Sequence, residues 1–99
     1  MQEFEWHNEK ALSNLKKHSV SFEEAATVFD DILSVYYDDT EHSTSEIRSR
    51  IIGYSKSNHL LSVTCTERKY DDNILTRIIN ARFATKNERK SYESKNKYN

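Results

Sequence analysis

The chain has 99 residues, with 15 Lys+Arg against 16 Asp+Glu and a formal net charge of -1; hydrophobic residues make up 35%, charged residues 31%, and there is one glycine and no proline. That length predicts one domain over residues 1–99 with a single thin core, leaving no room for a second. No membrane span, internal disulfide or secretory leader is expected, and a cytosolic location is the default expectation: no run reaches the roughly 18 apolar residues of a span, Cys65 has no second cysteine to pair with, and MQEFEWHNEK lacks the basic start and apolar run of a signal peptide.

Phe4-Glu5-Trp6 alternates apolar and polar residues and predicts a short edge strand. Asn8 is the expected N-cap of a first helix that carries Ala11, Leu12 and Leu15 on one stripe and ends near Lys17-His18. Ser21-Phe22-Glu23-Glu24 reads as a capping box, with Val20 and Ala25 placed as its hydrophobic staple. The helix it opens has Phe22, Ala25, Ala26 and Phe29 on one face and stops near Asp30-Asp31.

From Ile32 the pattern turns to β, with strands expected over 32–37, 47–55, 59–67 and 73–83. Hairpin turns at Ser57-Asn58 and Lys69–Asn73 favour an antiparallel meander, while Asp38 to Glu46 is a longer acidic loop containing His42. Thr85-Lys86-Asn87-Glu88 is a second capping box, opening a polar helix anchored by Tyr92; residues 94–99 are expected to fray. The predicted fold is α+β: a short N-terminal strand, two helices, an antiparallel four-stranded sheet and a C-terminal helix.

The near-neutral total hides an asymmetry. Residues 1–67 carry 6 Lys+Arg against 12 Asp+Glu, and residues 68–99 carry 9 against 4. A basic third folded onto one surface can hold phosphates; a solvated polar tail is the plainer alternative. Cleaving RNA without a metal needs a group to take the 2'-hydroxyl proton, one to protonate the leaving 5'-oxygen, and cations beside the developing charge. His18, His42, Glu67 and Tyr92 are available for the first two tasks, and Lys17, Arg48, Arg50, Arg68, Arg77, Arg82 and Arg89 for the third. His7 and His59 read as surface residues, His18 as a helix-end cation, and Trp6 and Cys65 as core. Strand alternation puts Arg77 and Arg82 on opposite faces unless a bulge intervenes; one of them is then a scaffold residue paired with Asp30, Asp31 or Glu67.

The segments FEWHNEKALSNLKKHSVSFEEAATVFDD, EHSTSEIRSRIIG, VTCTER and RIINARFATKNERKSYE, in this order, resemble the BrnT family of type II toxins. The resemblance implies a RelE-like ribonuclease fold and an endoribonuclease that arrests translation without a cofactor or metal. It further implies a BrnA-type antitoxin with a ribbon-helix-helix domain, a heterotetramer with that antitoxin, and operator DNA reached only through it. Positions matching the family's recurring polar set are Lys17, His18, His42, Glu46, Arg48, Glu67, Arg68, Arg77, Arg82, Glu88, Arg89 and Tyr92. The expected catalytic group is His42, Glu67, Arg48, Arg68, Arg77 and Arg82, and the expected RNA contacts are Lys17, His18, Arg50, Lys86, Arg89 and Tyr92. The chain departs from the family at His7-Asn8, where Asp-Pro is usual, at Ser19, where glycine is usual, and at Asn80, where serine is frequent. The competing expectation is a catalytically silent partner that holds the antitoxin and adjusts operon repression.

Overall fold

In a computed structural model, which describes residues 2–39 and 47–97, the chain runs β1 (Gln2–Glu5), α1 (Asn8–His18), α2 (Phe22–Thr27), a 3-10 turn (Val28–Asp30), β2 (Val35–Asp38), β3 (Arg48–Tyr54), β4 (Leu60–Tyr70), β5 (Asn73–Phe83) and α3 (Lys86–Lys95). The expected catalytic His42, together with Glu46, lies outside the described residues. Strands β2 to β5 form the expected antiparallel meander. The N-terminal strand does not stand apart: β1 pairs in parallel with β5, from Gln2 opposite Ile74 to Glu5 opposite Arg77, giving a five-stranded sheet in the order β1-β5-β4-β3-β2.

Two capping signals act as expected, with one diversion. Thr85 and Glu88 exchange both bonds of a capping box at α3. At α2 the Ser21 hydroxyl accepts from the Glu24 N–H, but the Glu24 carboxylate turns away to Ser55 Oγ and His59 Nδ1, each at 2.7 Å. His59 is therefore tied to a helix, and its ring also packs edge-on against Phe83. The N-cap of α1 is His7, one residue before the expected Asn8, and it makes no side-chain cap bond. The first helix ends at Ser19, whose φ of 59° is the left-handed value that glycine adopts without strain. Past the expected fraying point at residue 94, α3 continues to Lys95, and Asn96 Nδ2 donates to the carbonyls of Leu33 and Tyr92.

The sheet has two unlike faces. One packs under α1, α2 and the 3-10 turn, burying Val20, Phe22, Ala25, Val28, Ile51, Leu61, Val63, Ile78 and Ala81. Trp6 meets Phe22 edge-to-face, a core role. Cys65 is fully buried, and burial followed by the charge of Glu67 pushes its thiol up to about 12. Gly53 is needed by close approach, since a Cβ there would sit 3.0 Å from Val28 Cγ1 and 3.1 Å from an Asp31 oxygen. The other face is covered on one side by α3, whose Tyr92 packs with Val35, Ile52 and Leu60.

Beyond Arg77, β5 runs past the end of β1, and one side chain takes over the ladder there. Asn14 of α1 is buried; its Oδ1 accepts from Ala81 N–H at 3.1 Å and its Nδ2 donates to Ala81 O at 2.8 Å and Val20 O at 3.0 Å. The amide thus satisfies three backbone groups that would otherwise be buried without partners. Asn14→Ala is expected to destabilise the protein by about 3 kcal/mol in chemical unfolding, whereas a loss under about 1 kcal/mol would mean that water replaces the amide at no cost. Ser19→Gly is expected to stabilise by about 1 kcal/mol in the same measurement, because it removes the left-handed strain of a Cβ.

Candidate active site

Strand alternation sends residues five apart to opposite faces, so Arg77 and Arg82 should diverge. They do not, because β5 contains a bulge. Thr64 pairs with Asn80 and Cys65 with Ile78, leaving Ile79 without a partner on β4 and resetting the alternation. Arg77 then lies opposite Thr66 and Arg82 opposite Ser62, two positions of equal parity on β4. Both arginines stand on the face away from α1 and α2. On the neighbouring strand Arg48 lies opposite Thr66 and Arg50 opposite Thr64, so they join the same face. Arg68 completes the row by the two-residue period of β4. Five arginines thus surround the hydroxyls of Ser62, Thr64 and Thr66. That alternating hydroxyl row is visible in the sequence, yet none of its members was among the expected site residues.

The carboxylates expected to neutralise a buried arginine serve elsewhere. Asp31 accepts from the backbone N–H of Leu33 and Tyr54 and from the Tyr92 hydroxyl, at 2.9 Å each. Arg77 instead pairs with Glu5, Nε to Oε1 at 3.0 Å, and both remain over a third exposed. Arg82 forks onto Glu88, with Nη1 at 2.7 Å from Oε1 and Nη2 at 3.1 Å from Oε2. Arg50 reaches Ser62 Oγ at 3.0 Å, Glu88 Oε2 at 3.5 Å and Asp39 Oδ2 at 3.9 Å. Neither member of the Arg77 and Arg82 pair is a buried scaffold residue. The open end of the face forms a cleft of about 320 Å³ lined by Glu5, Ile47, Thr66, Glu67, Arg68, Leu75 and Arg77.

The remaining expected site residues divide. Glu67 is exposed on the cleft rim, but its register with Thr76 turns it toward the Cys65 side of the sheet. Its charge, after burial, helps push the Tyr36 hydroxyl up to about 12. Lys17 and His18 line a separate shallow cleft with Asn14 and Asn80 beside α1, on the helical side. Lys86 and Arg89 are exposed on α3, where Arg89 Nη1 donates to the Tyr54 hydroxyl. Tyr92 is 7% exposed, packs edge-on against Tyr54 and donates a hydrogen bond from its hydroxyl to Asp31, which ties it into the scaffold. Glu5, which carried no expected role, is the carboxylate bonded to a cleft arginine.

The family model described as the ribonuclease toxin BrnT of type II toxin-antitoxin systems matches residues 6–88. The chain belongs to the BrnT family. The matched span runs from Trp6 in the core to Glu88 on the arginine face and so contains the bulge and all five arginines. A crystal structure of the Brucella abortus ribonuclease toxin BrnT resembles this chain with a TM-score of 0.59 at 16% identity, covering 87% of this chain and 99% of that one. At that identity the likeness carries the fold. No curated protein sequence matches. No helix among the described residues is long and apolar enough to cross a membrane.

Electrostatics of the BrnT face centre on Glu88. Burial disfavours its charge, but the Arg82 hydrogen bonds, the Thr85 N–H, the Arg82 charge and the Ser62 hydroxyl outweigh burial and hold the carboxyl at about 2, below the ordinary 4.5. A depressed carboxyl contributes stability that is present above the unfolded value and lost as pH falls through the folded one. Unfolding midpoints should therefore drop as pH falls from 4.5 toward 2, and Glu88→Gln should flatten that limb. An equally steep limb in the variant would assign the acid sensitivity to other carboxylates.

Proposed function

We propose that this BrnT-family chain is a metal-independent endoribonuclease that cleaves RNA by internal attack of the 2'-hydroxyl, arrests translation, and is neutralised by a BrnA-type antitoxin with a ribbon-helix-helix domain. The observation that carries this reading is the bulge at Ile79, which brings Arg77 and Arg82 together onto the face where Arg48, Arg50 and Arg68 already stand beside the Ser62, Thr64 and Thr66 hydroxyls. Guanidinium forks match phosphate oxygens, and charge that builds on a pentavalent phosphate is stabilised by donors already fixed in place.

In this mechanism the 2'-oxygen bonds to phosphorus and its proton passes to a base. The P–O5' bond breaks, the leaving oxygen gains a proton from an acid, and a 2',3'-cyclic phosphate remains. Arg68 and Arg77, which line the open cleft, are the cations assigned to the reacting phosphate. Glu5, held 3.0 Å from Arg77, is a carboxylate in reach of the same cleft, and His42 and Glu67 stay as the other candidates for proton transfer. The antitoxin is assigned as the link to operator DNA, within a heterotetramer, and the site of action is the cytoplasm.

Purified protein should cut a single-stranded RNA in EDTA, and a 2'-deoxy residue at the cleavage position should block the cut. Arg68→Ala and Arg77→Ala should each lower the rate by about 100-fold, the scale for removing one preorganised charge-stabilising donor. Intact RNA after incubation with folded wild-type protein would sink the enzymatic reading.

A second reading has an observation of its own. Leu12 and Leu15 of α1 are 69% and 47% exposed and, with Trp6 and Phe22, line an apolar groove that suits a protein partner. If holding an antitoxin is the whole function, the chain will alter operator binding by the antitoxin and produce no growth arrest when expressed alone.

A further inference from the structure

The Glu88 carboxylate accepts more than a helix cap requires. Arg82 presents Nη1 and Nη2 at 2.7 and 3.1 Å, the Thr85 N–H donates at 2.9 Å, Ser62 Oγ donates at 3.2 Å, and Arg50 Nη1 stands at 3.5 Å. Two guanidinium groups, a hydroxyl and a backbone N–H at a helix start form a set that also suits the tetrahedral oxygens of a phosphate. The cluster is not sealed: the side chains of Arg50, Arg82 and Glu88 are 24%, 28% and 17% exposed. The Glu88 backbone is fixed in the first turn of α3 while its carboxylate reaches back over the sheet to Ser62 and Arg82.

We propose that Arg50, Ser62 and Arg82 form a phosphate seat beside the cleft, and that Glu88 fills it in the free protein as an internal anion which an RNA phosphate must displace. The inference rests on the reading of the arginine face as an RNA-binding surface. It divides four of the five arginines by task. Arg68 and Arg77 face the open cleft, whereas Arg50 and Arg82 hold a neighbouring phosphate only after Glu88 yields. The seat is thereby held together without substrate, since two guanidinium groups this close repel each other unless an anion lies between them. The cost is a weaker grip on RNA.

Binding is read without cleavage, using a fluorescein-labelled 2'-O-methyl oligonucleotide and, separately, inorganic phosphate. Glu88→Gln removes the charge but keeps the shape, and should tighten both ligands by about tenfold, the size of one charge-assisted contact. Ser91→Ala loosens the same helix by removing its contact with the Tyr37 hydroxyl, lies outside the seat, and should leave both affinities unchanged. A Glu88→Gln protein that binds as wild type or more weakly would overturn the proposal and make Glu88 a positioning residue for Arg82. Equal tightening by Ser91→Ala would overturn it too, by assigning the gain to a loosened helix.

Should Glu88→Gln fail to fold, phosphate titration of the wild-type protein tracked by amide NMR decides: saturable shifts at Ser62, Thr85 and Glu88 support the seat, and shifts confined to Arg68 and Arg77 overturn it. The two readings also fail separately. RNA cut by wild type with no gain in the variant removes the seat and keeps the nuclease. Tighter phosphate in the variant with no cleavage by wild type removes the nuclease and keeps the seat.

Discussion

The site depends on one unpaired residue in β5 and on the side-chain amide that pins the strand beyond it. Ile79 has no partner on β4, so the strand gains one residue on one side and its alternation is reset. A bulge is free to slide unless a contact holds the chain on its far side. Asn14 does this by bonding both backbone groups of Ala81, two residues past the bulge. Its contact fixes the register from Ala81 onward, and Arg82 is the next residue. Without that register Arg82 would turn toward the helical layer, away from Glu88. The amide of a helix residue therefore sets the direction of a side chain on the far face of the sheet.

Charge on the arginine face is balanced locally, and this explains how a chain of net charge -1 can present a cationic surface. Glu5 answers Arg77, Glu88 answers Arg82, and Asp39 and Glu88 share Arg50. Each pairing offsets the repulsion that would otherwise build up on a crowded sheet. These pairs differ in strength. The Glu5 pair is exposed to solvent and therefore weak and easily exchanged. The Glu88 fork is partly buried, reinforced by a hydroxyl and a backbone N–H, and correspondingly durable. The open cleft lies at the weak pair, where an incoming anion would meet the least competition.

Local signals in the sequence were enough for most of the elements. The capping box at Thr85, the apolar face of α2 and the two-residue period of the strands each report a contact made within a few residues, and all appear in the structure. What stayed hidden involves partners far apart. Nothing near Ile79 marks a bulge, and the contact that holds the register past it comes from an asparagine 67 positions away from Ala81. The parallel seat of β1 beside β5 was equally invisible, since strand pairing is decided by how the intervening helices carry the chain across the sheet. Glu24 matched a capping box by spacing, yet it caps nothing with its carboxylate because Ser55 and His59 compete for it. Tyr92 looked chemically available and is held in the core by Asp31. In each case a tertiary hydrogen bond overrode a local rule.

The position of Glu88 ties stability to the site in a particular way. The same carboxylate completes the α3 capping box through Thr85 and neutralises two arginines on the sheet. Helix α3 has little apolar surface to hold it, Tyr92 being its one buried residue, so polar contacts at Glu88, Ser91 and Asn96 fasten it along its length. Fastening a polar helix by a functional arginine makes the free state more stable while leaving less cation available to substrate. Such a trade is common where a site must persist unliganded yet bind a charged ligand. In the seat proposed above, its physical form is a competition between one carboxylate and one phosphate for the same guanidinium fork.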